Sequence, residues 1–274
     1  MIHYRIDGAG EPLLLLNGIA MTAASWQPVA GSLASDFTVV RCDFRGQLMS
    51  PGPPPVDVAD HVGDVVELLD HLGLGPVHVL ATSFGGAVGG LLAARHPERV
   101  RSLLSIASAD GFTDVMADEV MRWREAVLRS LEGADRGLLS DVLEPVVYSP
   151  AFVEAHREDR ALRRQQIAAL PTRWFEDLVL LLDSAASFSL RDELGKVRCP
   201  TLIVAAELDG FIPRDRCRGL AETIPGAGFR VLPGVGHAAV VEQPDAIVSL
   251  TLGFIREVSS RTGDATERHG GPDG

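Results

Sequence analysis

No stretch of this 274-residue chain approaches the roughly 18 consecutive apolar residues of a membrane-spanning helix, so no span is expected. The opening Met1-Ile2-His3-Tyr4-Arg5 lacks a basic segment followed by an apolar one, and no secretory signal is expected either. Cysteine is scarce. Cys42, Cys199 and Cys217 are odd in number, widely spaced and without a C-x-x-C pair, which argues against a disulfide framework and for a cytoplasmic protein with free thiols. Positive charge is in the minority, 25 Lys and Arg against 37 Asp and Glu, giving a formal charge of −12. That balance opposes unaided binding to nucleic acid or to an anionic membrane surface. Neither H-E-x-x-H nor a clustered set of histidines and carboxylates occurs, so no metal is expected. G-x-G-x-x-G and phosphate-loop patterns are missing as well, so nucleotide is not expected, and no internal repeat is found.

What remains is an ordinary globular composition, 46% hydrophobic and 23% charged, in a length suited to one large domain or one domain with an insertion. Apolar runs suited to strands lie at Tyr4–Ile6, Leu13–Asn17, Thr38–Cys42, Val77–Thr82, Ser102–Ala107, Thr201–Ala206 and Gly228–Leu232. The later runs are continuous rather than alternating, as in strands covered on both faces. Helical patterns fit Trp26–Leu33, Val58–Leu72, Gly86–His96, Asp215–Ile224 and Pro244–Val258, with Gly73 and Pro97 closing two of them. Strands alternating with helices predict an α/β class with a mostly parallel, twisted sheet flanked by helices.

The alternation stops between residues 111 and 190. There Val120, Trp123, Val127 and Leu131, then Leu178, Leu181 and Leu182, recur at helical spacing, and Pro145, Pro150 and Pro171 punctuate the segment. An all-helical insertion between two core strands reads as a cap over the strand ends, where open α/β sheets bind ligands. An enlarged helical layer without a lid role is the alternative. The expected organisation is a core of residues 1–110 and 191–258, a cap of 111–190, and a disordered tail over 259–274, where Gly, Ser, Thr and charge predominate.

Ala81-Thr82-Ser83-Phe84-Gly85 sits between the run Val77–Leu80 and a small-residue helix. A strand, a sharp turn with serine at its tip and then a helix is the pattern of a nucleophile elbow. The turn brings the residues two before and two after the serine together, so both must be small, as Ala81 and Gly85 are. Alone, the match is weak in a chain with 28 glycines.

A serine hydroxyl needs a neighbouring base and that base an orienting carboxylate. Of eight histidines His237 stands out, because it follows the Gly228–Leu232 strand and the Gly-rich loop Pro233-Gly234-Val235-Gly236. Its side chain type titrates at about 6.5, near neutral pH. Asp209 lies just past the Thr201–Ala206 strand and is the candidate acid; Glu207 and Asp110 compete with it. Ser83, Asp209 and His237 then fall after three separate strands, in the order expected of such a triad on such a sheet. The oxyanion formed by serine attack requires preplaced donors. The backbone N–H of Phe84 is one candidate. The second is the N–H of Ile19, in the loop Asn17-Gly18-Ile19-Ala20, where Gly18 permits the turn.

With these residues in place, the chain from Tyr4 to about Val258 resembles an α/β-hydrolase-fold protein. Asp43 to Ser50 is similar to the D-x-R-G-x-G-x-S loop of that family, Ala206 to Pro213 to its G-x-x-D-x-x-x-P segment, and Gly236-His237 through Pro244 to its G-H-x…E-x-P stretch. The chain departs from the pattern at Ala81 and Ala206, which replace glycines, at Asn17, where many relatives carry histidine, and at Leu48, which replaces a glycine.

The reading implies a cofactor-independent serine hydrolase that cleaves a carboxylic ester of a hydrophobic small molecule. A lactonase, thioesterase or carbon–carbon bond hydrolase using the same residues, a cofactor-free peroxidase-like activity, and a receptor of the same fold are the alternatives. Trp123, Trp174, Phe175 and Phe188 are mostly core residues at helical spacing, and Trp123, Trp174 and Phe188 are the candidates to face substrate. His78 is expected as a core histidine bonded to backbone, and Asp43 with Arg45 as a structural loop pair. A small-molecule ester-like substrate is the expected partner, for a monomer or homodimer.

Overall fold

The computed structural model describes residues 1–185 and 189–267, with side chains to Arg261. Seven strands make one sheet: β1 (Tyr4–Asp7), β2 (Glu11–Leu16), β3 (Phe37–Cys42), β4 (Val77–Thr82), β5 (Val100–Ile106), β6 (Thr201–Ala206) and β7 (Gly228–Leu232). Their spatial order is β1-β3-β2-β4-β5-β6-β7. Only β1 runs antiparallel, against β3; every other pairing is parallel. Each parallel connection needs a crossover, and the helices α1 (Gln27–Leu33), α2 (Val58–His71), α3 (Phe84–Arg95), α10 (Arg214–Thr223) and α12 (Pro244–Glu267) lie along the core part of the chain.

Two apolar layers follow from the alternation of side chains along the strands. Val77, Val79 and Ala81 of β4 pack with α2 and α3 on one face, while Leu80 packs with α1 and α12 on the other. Helix α3 shows no amphipathic pattern because it is buried on all sides from Phe84 to Ala94.

Between β5 and β6 the chain is helical: α4 (Asp114–Leu131), α5 (Leu138–Val147), α6 (Pro150–Ala155), α7 (Arg160–Ala168), α8 (Thr172–Ala185) and α9 (Arg191–Leu194). The two ends of this insertion meet at its neck, where Leu190 N–H donates to the Asp110 carbonyl (2.8 Å) and Gly111 bridges to Ser189. The buried apolar faces of α4 and α8 hold the residues that the spacing singles out, Val120, Trp123 and Val127 with Leu178, Leu181 and Leu182. Pro145 does not break α5; it lies inside it. A short helix, α11 (Ala239–Glu242), precedes α12.

Helix α12 continues to Glu267, past the Val258 end expected from its apolar periodicity. No proline interrupts Ser259 to Glu267, so nothing in the backbone stops the helix there. The remaining residues of the expected tail, 268–274, lie outside the described residues. Among the described residues no helix is long and apolar enough to cross a membrane.

Candidate active site

Ser83 follows β4 directly and caps the N-terminus of α3, with φ 53° and ψ −121°. A left-handed backbone at a non-glycine residue is strained, and here the surroundings hold it in place. Ser83 N–H donates to the Ile106 carbonyl (2.9 Å), and the Ser83 carbonyl accepts from Gly86 N–H (2.9 Å) and Ser108 Oγ (3.0 Å). A side chain at Gly85 would overlap the backbone carbonyls of Leu16 and Asn17, so only glycine allows α3 to sit this close to β2. Ala81 is fully buried and its backbone lies outside the positive-φ region, so its methyl group is accommodated without strain.

His237 Nε2 lies 2.9 Å from Ser83 Oγ and His237 Nδ1 lies 2.8 Å from Asp209 Oδ2. The other Asp209 oxygen accepts from the N–H groups of Phe211 and Ile212, both at 2.8 Å. This carboxylate therefore has its orientation fixed by its own turn, and its side chain is almost wholly buried. The two competing acids are engaged elsewhere. Asp110 takes Arg216 (2.6 Å) and Arg191 (3.3 Å) at the neck of the insertion, and Glu207 accepts from Gly234 N–H (2.8 Å). Serine, histidine and aspartate thus meet although 154 residues separate the first two, because β4, β6 and β7 end on the same edge of the sheet.

Ile19 lies after β2, on that same edge. Among the described residues neither its N–H nor that of Phe84 is taken by a protein acceptor. The loop around Ile19 is held by an amide pair that sequence reasoning missed. Gln47 Nε2 donates to the carbonyls of Gly18 (2.8 Å) and Ile19 (3.1 Å), while Gln47 Oε1 accepts from Asn17 Nδ2 (2.9 Å) and Phe44 N–H (2.9 Å). Asn17 also donates to the Cys42 carbonyl (2.7 Å) and accepts from Trp26 Nε1 (2.7 Å). The signal was present in two places, as the departure at Asn17 and as the variable position of the Asp43 loop. Leu48, the other departure in that loop, does not take a positive φ, so the missing glycine adds no strain.

Asp43 and Arg45 do not pair with each other. Asp43 Oδ1 accepts from Ala23 N–H (2.6 Å), and burial raises its carboxyl above the usual range; Arg45 pairs with Asp64 (2.7 Å). His78 is a buried core residue whose Nδ1 partner is the Ser102 hydroxyl (2.7 Å), a side chain rather than backbone. Cys42 and Cys217 are buried free thiols, and burial pushes Cys217 up to about 12.

A cavity of about 220 Å³ opens on Ser83 and His237 beneath the helical insertion, walled by Leu143, Val147, Ile167 and Val240. Trp123 borders it, with its ring 4.6 Å from that of Phe211. Trp174 instead packs edge-on against Phe175 (5.1 Å) and lines neither this cavity nor the smaller one beside Ser83. Phe188 lies outside the described residues. A second carboxylate, Glu242, is also part of the surroundings: it accepts from Gly236 N–H (3.1 Å), Ser149 N–H (2.9 Å) and Ser149 Oγ (2.6 Å), tying the loop before His237 to the insertion.

A family model described as the alpha/beta hydrolase fold matches residues 11–244. RutD of Azorhizobium caulinodans, named as a carbamate hydrolase, is 30% identical over 94% of this chain and 96% of its own length. The pimeloyl-[acyl-carrier protein] methyl ester esterase of Aeromonas hydrophila is 30% identical over 90% of this chain and 96% of its own. Among solved structures, an α/β hydrolase enzyme from a Medee basin deep-sea metagenome library superposes with a TM-score of 0.86 at 24% identity, covering 93% of this chain and 94% of that one, a likeness of fold.

Proposed function

The chain belongs to the α/β-hydrolase fold family and is a hydrolase of that fold, and from that premise we propose that it is a serine hydrolase acting on a carboxylic ester of a hydrophobic small molecule. What supports this reading above all is the unbroken hydrogen-bonded chain from Asp209 through His237 to Ser83 at the floor of a largely apolar cavity. One of the relatives is named an esterase, which agrees with it.

In the proposed reaction His237 Nε2 takes the Ser83 proton as Oγ attacks the ester carbon. Asp209 keeps the ring in the tautomer with Nδ1 protonated and stabilises the imidazolium that forms. The Ile19 and Phe84 N–H groups meet the oxyanion. His237 then protonates the departing alcohol, and water, deprotonated by His237, releases the acid and restores Ser83.

A fluorophosphonate probe should label the folded protein at Ser83, read by mass spectrometry of the peptide. Ser83→Ala should take no label and lose turnover by about a millionfold, as lone triad knockouts can. Its circular dichroism should be unchanged. Substantial activity in a folded Ser83→Ala protein would overturn the reading.

A further inference from the structure

Ser83 faces two cavities of very different size, one of about 220 Å³ and one of about 20 Å³. His237, Ala238, Val240 and Val241 border the larger one. Among the described residues the smaller is lined by Phe84, Phe112, Phe211, Ile212 and Leu182, and His237 does not line it. Trp123 and Ile19 border both.

Given the serine-hydrolase reading, on which this inference rests, the three substituents of the tetrahedral carbon have assigned directions. The oxyanion points to the Ile19 and Phe84 N–H groups. The leaving oxygen must lie beside His237 Nε2, because that nitrogen returns the proton. The acyl group takes the direction that remains. We infer that the leaving alcohol occupies the large cavity beside His237 and the acyl group the small one, so that the substrate is an ester of a short acyl chain with a bulkier alcohol.

The contrast in size decides which group goes where: the smaller cavity offers about a tenth of the room of the larger, so it takes the shorter of the ester's two groups. Its walls are packed: Phe211, Leu182 and Val120 are all buried, and Phe211 is braced by Trp123 (4.6 Å) and Phe112 (5.6 Å). The bonds balance as in ordinary acyl transfer. The Ser83 Oγ–acyl bond forms and the carbon–alkoxy bond breaks, the Ser83 proton passes through His237 to the alcohol, and water then frees the short-chain acid from Ser83.

Hexyl acetate and methyl heptanoate test the assignment, because they are isomers with the ester group reversed. The purified protein should cleave hexyl acetate with a kcat/KM higher by about tenfold or more, the scale on which pockets discriminate by a methylene. Phe112→Ala, at a half-buried wall position, should enlarge the small cavity and raise kcat/KM on hexyl butanoate relative to hexyl acetate. Fluorophosphonate labelling separates the two levels of failure. If Ser83 labels but the isomers are cleaved equally, in the reverse order or not at all, or if Phe112→Ala leaves the chain-length ratio unchanged, the cavity assignment is wrong. If neither ester turns over and Ser83 takes no label, the serine-hydrolase reading falls with it.

Discussion

Every hydrogen-bonding position of the Gln47 amide is occupied, two as donor and two as acceptor, and exchanging its nitrogen and oxygen would set like groups against each other. By drawing the Gly18 and Ile19 carbonyls toward itself, Gln47 fixes the peptide planes around Ile19, whose N–H is the proposed second oxyanion donor. Gln47 is a positioning residue in this scheme, acting through the loop. Gln47→Glu keeps the size but sets acceptors against two carbonyls. Its kcat should fall by about 100-fold, the lower range for loss of one oxyanion donor, with KM nearly unchanged. Steady-state kinetics on one ester checks this, and a raised KM with kcat intact would refute it. In the sequence Asn17 stood out only as a departure from a familiar pattern. Its partner lies 30 residues on, and the pairing depends on β2 and β3 lying side by side, which no local pattern encodes.

At the scale of elements, β4, β6 and β7 were legible to the residue, because each is a short, mostly apolar run, interrupted by His78 in β4 and Arg230 in β7, that leads into turn residues. Those strands carry Ser83, Asp209 and His237, and hence the order of the site was legible too. The walls of the cavity were not. Trp123 and Trp174 have the same helical spacing signature, yet one borders the cavity and the other packs on Phe175, since periodicity marks a buried face without saying what it is buried against. The link between core and insertion was equally hidden. Glu242 of α11 binds Gly236 and Ser149, the residue that caps α6, and a side chain at Gly236 would collide with the Ser149 backbone. Glu242→Ala leaves buried N–H groups without an acceptor, at roughly 1–3 kcal/mol. The variant should melt roughly 5 °C lower and show reduced kcat/KM, because the His237 loop loses its tie. Calorimetry with kinetics on the same sample decides it, and an unchanged melting temperature would show that the tie carries no weight.

For the whole molecule, the acid limb of stability has an identifiable contributor in His61. It lies fully buried on α2, edge-on to Phe44 (5.2 Å) and Phe84 (5.3 Å), and among the described residues neither ring nitrogen has a hydrogen-bond partner. Burial, and after it the charge of Arg45, lowers its pKa to about 4. In the unfolded chain the same ring takes a proton at about 6.5. Between those values the unfolded state binds the proton and the folded state does not. The stabilisation is therefore complete above about pH 6.5 and is lost as the pH falls toward 4. Carboxylates titrate in the same window, so the contribution of His61 must be isolated by difference. His61→Leu keeps the site apolar and removes the titration. Urea unfolding of both proteins at pH 7 and pH 4.5 should show the wild-type chain losing about 2 kcal/mol more than the variant between the two conditions. Equal losses would mean that His61 finds a proton-stabilising partner in the folded protein at low pH, and the acid limb would then belong to the carboxylates alone.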